Sequence, residues 1–191
     1  MGDFMKNMRK KAFITRAVHA GERVSLGKYT PVATPIHPSV SYFYDRMEDL
    51  DAVFDERQAG YVYLRYGSPS VAAFEAVIAE LENGEAAHAF SSGMAAIHAA
   101  LLAAGVRAGK TVVTTLDLYG ATTTLLQRLL TEMGVNVRLV DISDLSAIER
   151  SFVETHPVAL LVETISNPLM KVTDLSGLAR LANHHGVQFL V

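Results

Sequence analysis

Residues 87–98 read Ala87-His88-Ala89-Phe90-Ser91-Ser92-Gly93-Met94-Ala95-Ala96-Ile97-His98, and the rest of the chain is arranged around this segment. Its first four residues predict a short buried strand at 87–90, whereas Ser91-Ser92-Gly93 is typical of a turn that begins a helix. Such a turn presents free backbone N–H groups and the positive end of a helix dipole, and Gly93 has no side chain to block an anion. The segment therefore indicates either an ordinary strand-turn-helix connection or a site for a phosphate-sized anion.

Helical and strand patterns alternate from this segment to the end of the chain. We expect strands at 111–115, 136–140, 158–162 and 187–191, and helices at 94–104, 120–133, 144–153 and 174–185. Strands separated by single helices imply right-handed crossovers, so the sequence predicts an α/β fold with a mostly parallel sheet and helices on both faces. In such sheets the loops at the carboxyl ends of the strands carry the ligand chemistry. Because an apolar strand ends at Val191 itself, we expect a chain that is truncated within its domain.

The residues that precede the sheet predict an extended arm. Three prolines and no sustained period lie between residues 15 and 41, which favours a stretch without regular structure. The first eleven residues are basic and are interpreted as a solvated arm, and a short helix is predicted at 47–54. We therefore divide the chain into an extended N-terminal arm with a short helix, 1–60, and the N-terminal part of an α/β domain, 61–191.

The composition excludes several classes of function. The chain has 191 residues, a net charge of −3 and no cysteine. Nothing in this charge favours nucleic acid or an anionic membrane as a partner, and the lack of cysteine excludes disulfides, thiolate metal sites and a cysteine nucleophile. The longest apolar region, 95–106, is too short to span a bilayer. The histidines show no metal-ligand spacing, so we expect no metal site, and a cytoplasmic location is compatible with the composition.

Two nucleotide-binding motifs are absent or out of context. Residues 104–111 fit a relaxed P-loop pattern, but a P-loop follows a strand and opens a helix, whereas here a helix precedes the segment and a strand follows it. The sequence has no G-x-G-x-x-G for a dinucleotide and no G-x-S-x-G for a serine hydrolase. Nucleotide hydrolysis, dinucleotide binding and serine hydrolysis are therefore disfavoured.

A dense aromatic segment, 61–66, precedes the first long helix, which is predicted at 69–81 with Pro69 in its first turn. Tyr63 and Arg65 within this segment are separated by one residue. On an extended backbone both side chains would point the same way, which suits a phosphate clamp.

Two further clusters follow strands of the predicted sheet. Tyr119 comes just after the strand at 111–115, and Glu163-Thr164-Ile165-Ser166-Asn167-Pro168 follows the strand at 158–162. Taken singly, Tyr119 could fill the core and Asn167-Pro168 could form a plain turn. Since the carboxyl ends of parallel strands meet at one edge, the clusters together indicate a phosphate cradle, a stacking ring and an amide on one rim.

The order and spacing of these motifs resemble the Cys/Met-metabolism family of pyridoxal-phosphate enzymes. The matching segments are Tyr63-Leu64-Arg65-Tyr66-Gly67-Ser68-Pro69, Ser91-Ser92-Gly93-Met94, Asp117-Leu118-Tyr119-Gly120 and Glu163-Thr164-Ile165-Ser166-Asn167-Pro168. The resemblance runs from about residue 15 to residue 191 and implies the large domain of the aspartate-aminotransferase-like fold (fold type I). It further implies trans-sulfuration chemistry: elimination or replacement at C–S or C–O bonds of cysteine, homocysteine, cystathionine or activated homoserine.

The resemblance also implies the residues that bind pyridoxal 5'-phosphate: Tyr63, Arg65, Ser92, Gly93, Met94, Tyr119 and Asn167. In the family pattern Gly93 and Met94 give backbone N–H groups to the cofactor phosphate. Tyr63 and Arg65 would reach the phosphate of the neighbouring subunit's cofactor, so the site would need a dimer, or the tetramer that some members form.

Two residues are assigned to the cofactor ring by the same resemblance. Tyr119 would stack on the pyridine ring and, as the catalytic residue, would help in proton transfer. Asn167 would lie near the phenolic oxygen of the ring.

The departures from the family pattern set limits to the resemblance. Ser68-Pro69-Ser70 stands where the family often has Asn-Pro-Thr, and Ala121 stands where methionine γ-lyases typically carry a cysteine. The family's next motifs, an aspartate for the pyridinium nitrogen and the Schiff-base lysine, are expected beyond Val191, and neither Lys110 nor Lys171 stands in a matching motif. We therefore expect the chain alone to be inactive. Two alternatives stay open: an assembly or regulatory module that pairs with a full-length homologue, and a fragment without a function.

Overall fold

The computed structural model describes residues 10–22 and 30–191. Its backbone contacts divide the chain into two compact units, one that ends at Ala89 and one that runs from Phe90 to Val191. Most of the predicted solvated arm at the start of the chain lies outside the described residues. The boundary that the sequence places at residue 60 stays a prediction.

The first unit contains three described helices. They are α1 (Phe13–His19), α2 (Met47–Phe54) and α3 (Pro69–Leu81). The predicted bounds of α2 and α3 are confirmed, and Pro69 occupies the first turn of α3, where its missing N–H is harmless.

Helix α1 corrects the prediction of a stretch without regular structure from residue 15 onward. The Arg16 guanidinium donates to the Glu80 carbonyl oxygen at 2.7 Å and to Asn83 Oδ1 at 3.1 Å, at the carboxyl end of α3. A Cβ on Gly21, whose φ is +79°, would come within 2.4 Å of the Ala73 carbonyl oxygen, so the chain after α1 passes close to α3. The helix thus depends on tertiary contacts, which local periodicity does not reveal.

The second unit alternates helices and strands. Its described elements are α4 (Gly93–Ala103), β1 (Thr111–Thr115), α5 (Gly120–Thr124, continued by a π-helical segment Leu125–Leu130), β2 (Asn136–Val140), α6 (Leu145–Thr155), β3 (Ala159–Leu161), α7 (Leu175–His185) and β4 (Gln188–Leu190). Every helix and strand predicted between residues 94 and 191 is present, with β3 and β4 shorter than expected.

The four strands form one parallel sheet in the order β2-β1-β3-β4. Val113 of β1 lies opposite Arg138 of β2 and Leu160 of β3, and Leu160 lies opposite Phe189 of β4. The predicted buried strand at 87–90 is wrong: these residues pair with no strand in the described chain, and all of them except Ala87 are exposed. The Ala89 N–H instead donates to Glu75 Oε1 at 2.8 Å, so a side chain replaces the missing ladder partner.

Helices cover both faces of the sheet, as predicted. On one face α6 and α7 pack over a buried cluster of Val113, Val140, Ile142, Ile148, Phe152, Leu160, Val162, Leu178, Ala182 and Val187. On the other face α4 and α5 pack over Leu101, Val106, Val112, Leu118, Leu126, Leu130, Val135, Ala159 and Leu161. Adjacent strand residues such as Val112 and Val113 therefore enter opposite cores, which explains why these strands are apolar throughout.

None of the helices described within residues 10–22 and 30–191 is long and apolar enough to cross a membrane. The same residues include no group of three or more histidine and acidic side chains arranged to hold a metal ion.

We expect Phe152→Ala to lower the free energy of unfolding by about 3–5 kcal/mol, because this ring fills the core under α6 and its removal leaves a cavity. The neighbouring Val153 is a matched control, since it is 59% exposed whereas Phe152 is 2% exposed. Val153→Ala should change the same quantity by less than about 1 kcal/mol. Urea denaturation followed by circular dichroism measures both values, and equal losses would contradict this packing.

Candidate cofactor site

The amino end of α4 is open to an anion. Ser92 caps the helix: its Oγ accepts the Ala95 N–H at 3.2 Å, and its carbonyl oxygen accepts the Ala96 N–H at 3.1 Å. The N–H groups of Gly93 and Met94 have no acceptor among the described residues. A Cβ added to Gly93 would meet no atom within 4 Å. Two free donors and the positive end of an 11-residue helix therefore lie beside unfilled space.

The loop after β1 is fastened to the loop after β3. The Tyr119 backbone N–H donates to Glu163 Oε1 at 2.8 Å. The Tyr119 side chain is 52% exposed, so the alternative that this ring fills the core is wrong. At the start of α5 the Thr122 hydroxyl lies 3.9 Å from Met94 Sδ, which brings the first turns of α4 and α5 into contact.

A hollow of about 230 Å³ lies at the carboxyl edge of the sheet. Its walls include Ile97 of α4, Leu118 in the loop before α5, Thr122 of α5, and Glu163 and Thr164 in the loop after β3. Gly93, Tyr119 and Asn167 do not line this hollow themselves; it is lined by other residues of α4 and of the loops after β1 and β3. The common rim that the sequence predicts for them stays a prediction.

The segment after β3 folds back on itself as a short hairpin. Ile165 pairs with Val172 in an antiparallel bridge, and the Ser166 N–H donates to the Lys171 carbonyl oxygen at 3.0 Å. The Met170 N–H donates to the Ser166 carbonyl oxygen at 2.9 Å, which closes the turn. Asn167 is exposed inside this turn and is joined to Pro168 by a cis peptide bond. The amide side chain is thus presented by a closed turn rather than by a free loop.

Lys171 joins this hairpin to the loop after β1 and was missed by the sequence reasoning as a site residue. Its Nζ lies 2.6 Å from Asp117 Oδ2. The hydrogen bond to Asp117, and more weakly the charge of Asp141 beyond β2, raises the pKa of Lys171 above its usual range. The pKa of Asp141 is lowered, mainly because the Ser143 hydroxyl and N–H both donate to its Oδ1. Charged groups from three strand ends therefore meet at this edge. In the sequence, the one feature that points to these charged residues is that each of them follows a predicted strand.

Tyr63 and Arg65 belong to the first unit. Tyr63 forms an antiparallel bridge with Ser41, but the chain then turns, with the Tyr66 N–H donating to the Tyr63 carbonyl oxygen at 2.8 Å. The expected extended backbone is therefore wrong at Arg65. The two side chains nevertheless come together, because the Arg65 guanidinium lies over the Tyr63 ring at 5.3 Å from its centre, a cation–π contact.

The chain is similar to known proteins over most of its length. A family model described as Cys/Met metabolism PLP-dependent enzyme matches residues 14–191. L-Methionine gamma-lyase of Fusobacterium nucleatum subsp. nucleatum is 39% identical over 176 residues, which are 92% of this chain and 44% of that protein. Cystathionine gamma-synthase of Mycobacterium leprae is 36% identical over 177 residues, 93% of this chain and 43% of that protein.

Solved structures give the same result. The crystal structure of cystathionine gamma-lyase from Lactobacillus plantarum, complexed with L-serine, superposes with a TM-score of 0.80 at 32% identity and covers 94% of this chain and 44% of that chain. A Campylobacter jejuni protein described as an O-acetylhomoserine (thiol)-lyase, whose structure contains N'-pyridoxyl-lysine-5'-monophosphate, has a TM-score of 0.82 at 25% identity, with 94% and 43% of the two chains covered.

These neighbours are pyridoxal-phosphate enzymes of fold type I, and the described sheet with helices on both faces is part of that fold. The chain belongs to the Cys/Met metabolism family of pyridoxal-phosphate-dependent enzymes. It spans less than half of the length of the relatives that it matches. The predicted fold class, family and cofactor of the family are confirmed.

Proposed function

We propose that this chain provides the phosphate-binding and ring-stacking part of a pyridoxal 5'-phosphate site in an enzyme that breaks or forms C–S bonds of sulfur amino acids. The observation that supports it most directly is the open amino end of α4, where the Gly93 and Met94 N–H groups are free beside unfilled space. The relatives named for methionine and cystathionine support the class of substrate. When bound, pyridoxal phosphate supplies an electron sink for reactions at the α-carbon of an amino acid.

The residues of the second unit fit this cofactor. A phosphate needs N–H donors and a positive dipole, and α4 offers both while Ser92 holds its first turn in place. The exposed Tyr119 ring offers an apolar face for stacking, and its hydroxyl can hold or move a proton at the reacting carbon. Asn167 offers an amide that can donate to the phenolic oxygen of the ring.

Self-association is proposed from the first unit. Three large apolar side chains of this unit are mostly exposed: Ile36 is 89% exposed, Phe43 is 88% exposed and Tyr66 is 72% exposed. We infer that a second copy covers it and that Tyr63 and Arg65 act there on the phosphate bound by the neighbouring subunit. A cytoplasmic location remains a further prediction.

We expect Gly93→Asp to weaken the binding of pyridoxamine 5'-phosphate by about tenfold or more, because a carboxylate would stand beside the two N–H donors that the phosphate needs. Stability should not fall, since the added side chain enters unfilled space and an acidic residue suits the first turn of a helix. Isothermal titration calorimetry measures the affinity, and thermal melting measures the stability.

Ser176→Asp is the matched control for this substitution. Ser176 is exposed in the first turn of α7, so the variant gains the same charge at another helix start. Pyridoxamine without its phosphate is the control ligand. Equal affinity of wild type and Gly93→Asp for the phosphorylated ligand would refute the proposed phosphate site.

We expect the 191 residues on their own to be inactive, because neither Lys110 nor Lys171 stands in a motif that matches the Schiff-base lysine of the family. The purified chain is incubated with pyridoxal phosphate, reduced with borohydride and examined by mass spectrometry. We expect no single stoichiometric adduct on one lysine and no turnover of cystathionine or methionine. A unique adduct together with turnover would overturn this expectation.

We expect the chain to associate with itself, with Phe43→Ser weakening association by about tenfold through the loss of an exposed apolar contact. Leu102→Ser is the control, since Leu102 is also exposed but lies in the second unit. Sedimentation velocity over a range of concentrations gives the dissociation constants. A chain that stays monomeric throughout that range would argue against the proposed assembly.

A further inference from the structure

We propose that Lys171 is a positioning residue, whose ion pair with Asp117 (the Lys171–Asp117 clasp) holds the loop of Tyr119 and the turn of Asn167 at a fixed separation. The clasp itself is a property of the fold. Its consequence for the cofactor rests on the proposed function.

The clasp joins parts of the chain that are distant in sequence. Lys171 and Asp117 are 54 residues apart, yet Nζ and Oδ2 are separated by 2.6 Å. The Asp117 side chain is only 16% exposed, whereas that of Lys171 is 43% exposed. A carboxylate that is mostly withdrawn from water and directly bonded to an ammonium group is better ordered than an ordinary surface pair.

The Asp117 end of the clasp acts on Tyr119. Only Leu118 stands between the two residues in the short loop between β1 and α5. The Asp117 N–H donates to Thr115 Oγ1 at 3.2 Å. The Tyr119 N–H is held by Glu163, which lies at the start of the same hairpin that carries Lys171. The hydrogen bond from Tyr119 to Glu163 and the ion pair of Lys171 with Asp117 therefore both connect these two loops.

The Lys171 end of the clasp acts on Asn167. The Lys171 carbonyl oxygen accepts the Ser166 N–H at 3.0 Å, and the Lys171 N–H donates to Ser166 Oγ at 3.1 Å. The backbone of Lys171 thus closes the turn in which Asn167 lies, while its side chain ties that turn to Asp117. A shift of this one residue would move the amide and the ring relative to each other.

The surrounding charges favour a permanently charged lysine. Besides Asp117, the carboxylate of Asp141 beyond β2 acts on the ammonium group from the neighbouring strand end. Both neighbours raise the pKa of Lys171, so its positive charge is present at all pH values near neutrality. The ammonium group is therefore charged when it bonds to Asp117, as an ion pair requires.

The test compares Lys171→Met and Asp117→Asn with wild type in hydrogen–deuterium exchange of the full 191-residue chain. We expect exchange in peptides that cover residues 117–123 and 164–173 to accelerate by up to about fivefold, the change expected for one well-placed exposed ion pair. The double variant should exchange no faster than either single variant, because both remove the same interaction. Lys171→Arg should restore most of the protection.

Lys110→Met is the matched control. It removes the same charge from the residue before β1, at the opposite edge of the sheet, where Lys110 forms no ion pair with any residue that the structure describes. It should leave both peptides unchanged. Unchanged exchange in Lys171→Met, an equal effect of Lys110→Met, or additive effects in the double variant would overturn the clasp.

A second readout separates the clasp from the proposed function. Pyridoxamine 5'-phosphate is added to each variant, and its induced circular dichroism band reports how the ring is held. We expect Lys171→Met to reduce this band and Lys171→Arg to restore it, at an unchanged melting temperature. If wild type gives no band and no binding, the proposed function fails while the exchange data still decide on the clasp. If wild type binds and Lys171→Met gives the same band, the positioning role is refuted.

Discussion

The parallel alignment of β2, β1, β3 and β4 is the constraint on which the rest of the second unit depends. Because all four strands run in one direction, every loop that follows a strand emerges at the same edge. The helices that return the chain cover the two faces and supply the apolar clusters around Phe152 and Leu101. Side chains that are distant in sequence thereby become neighbours without any local pattern that links them.

The candidate site at this edge consists of backbone groups as much as of side chains. Ile97 of α4 lines the hollow beside the carboxyl ends of the strands, and the first N–H groups of α4, those of Gly93 and Met94, have no acceptor among the described residues. Glu163 then holds the Tyr119 N–H, and the hairpin after β3 holds Asn167. The edge is a set of loops fixed to one another, which suits a cofactor that is gripped at its phosphate and at its ring.

Sequence reasoning recovers the parts that depend on local periodicity. The alternation of apolar helical faces and β-branched runs is enough to find α2, α3 and every element from α4 to β4. It fails at 87–90, where the residues are apolar but have no ladder partner in the described chain, and at α1, where the helix is supported by Arg16 contacts to α3. The turn at Arg65 is missed for the same reason, since alternation alone does not exclude a turn.

The candidate site shows the same division. Gly93, Tyr119 and Asn167 stand in motifs, so the sequence can predict that they lie at a helix start and in the loops after two strands. The bond from Tyr119 to Glu163 and the contact of Lys171 with Asp117 depend on which strands are neighbours, and a strand order is not encoded in any one segment. Polar residues that follow predicted strands therefore indicate where a binding site can form. The hydrogen bonds and ion pairs between the loops can be recognised only when the strand order is known.

The most direct measurement is the change in backbone amide NMR shifts when pyridoxamine 5'-phosphate is titrated into the isotopically labelled chain. A phosphate at the open end of α4 predicts that the largest shifts fall on the amides of Gly93 and Met94, followed by those around Tyr119. Saturable binding whose largest shifts fall at the opposite edge of the sheet, with Gly93 and Met94 unmoved, would contradict the account.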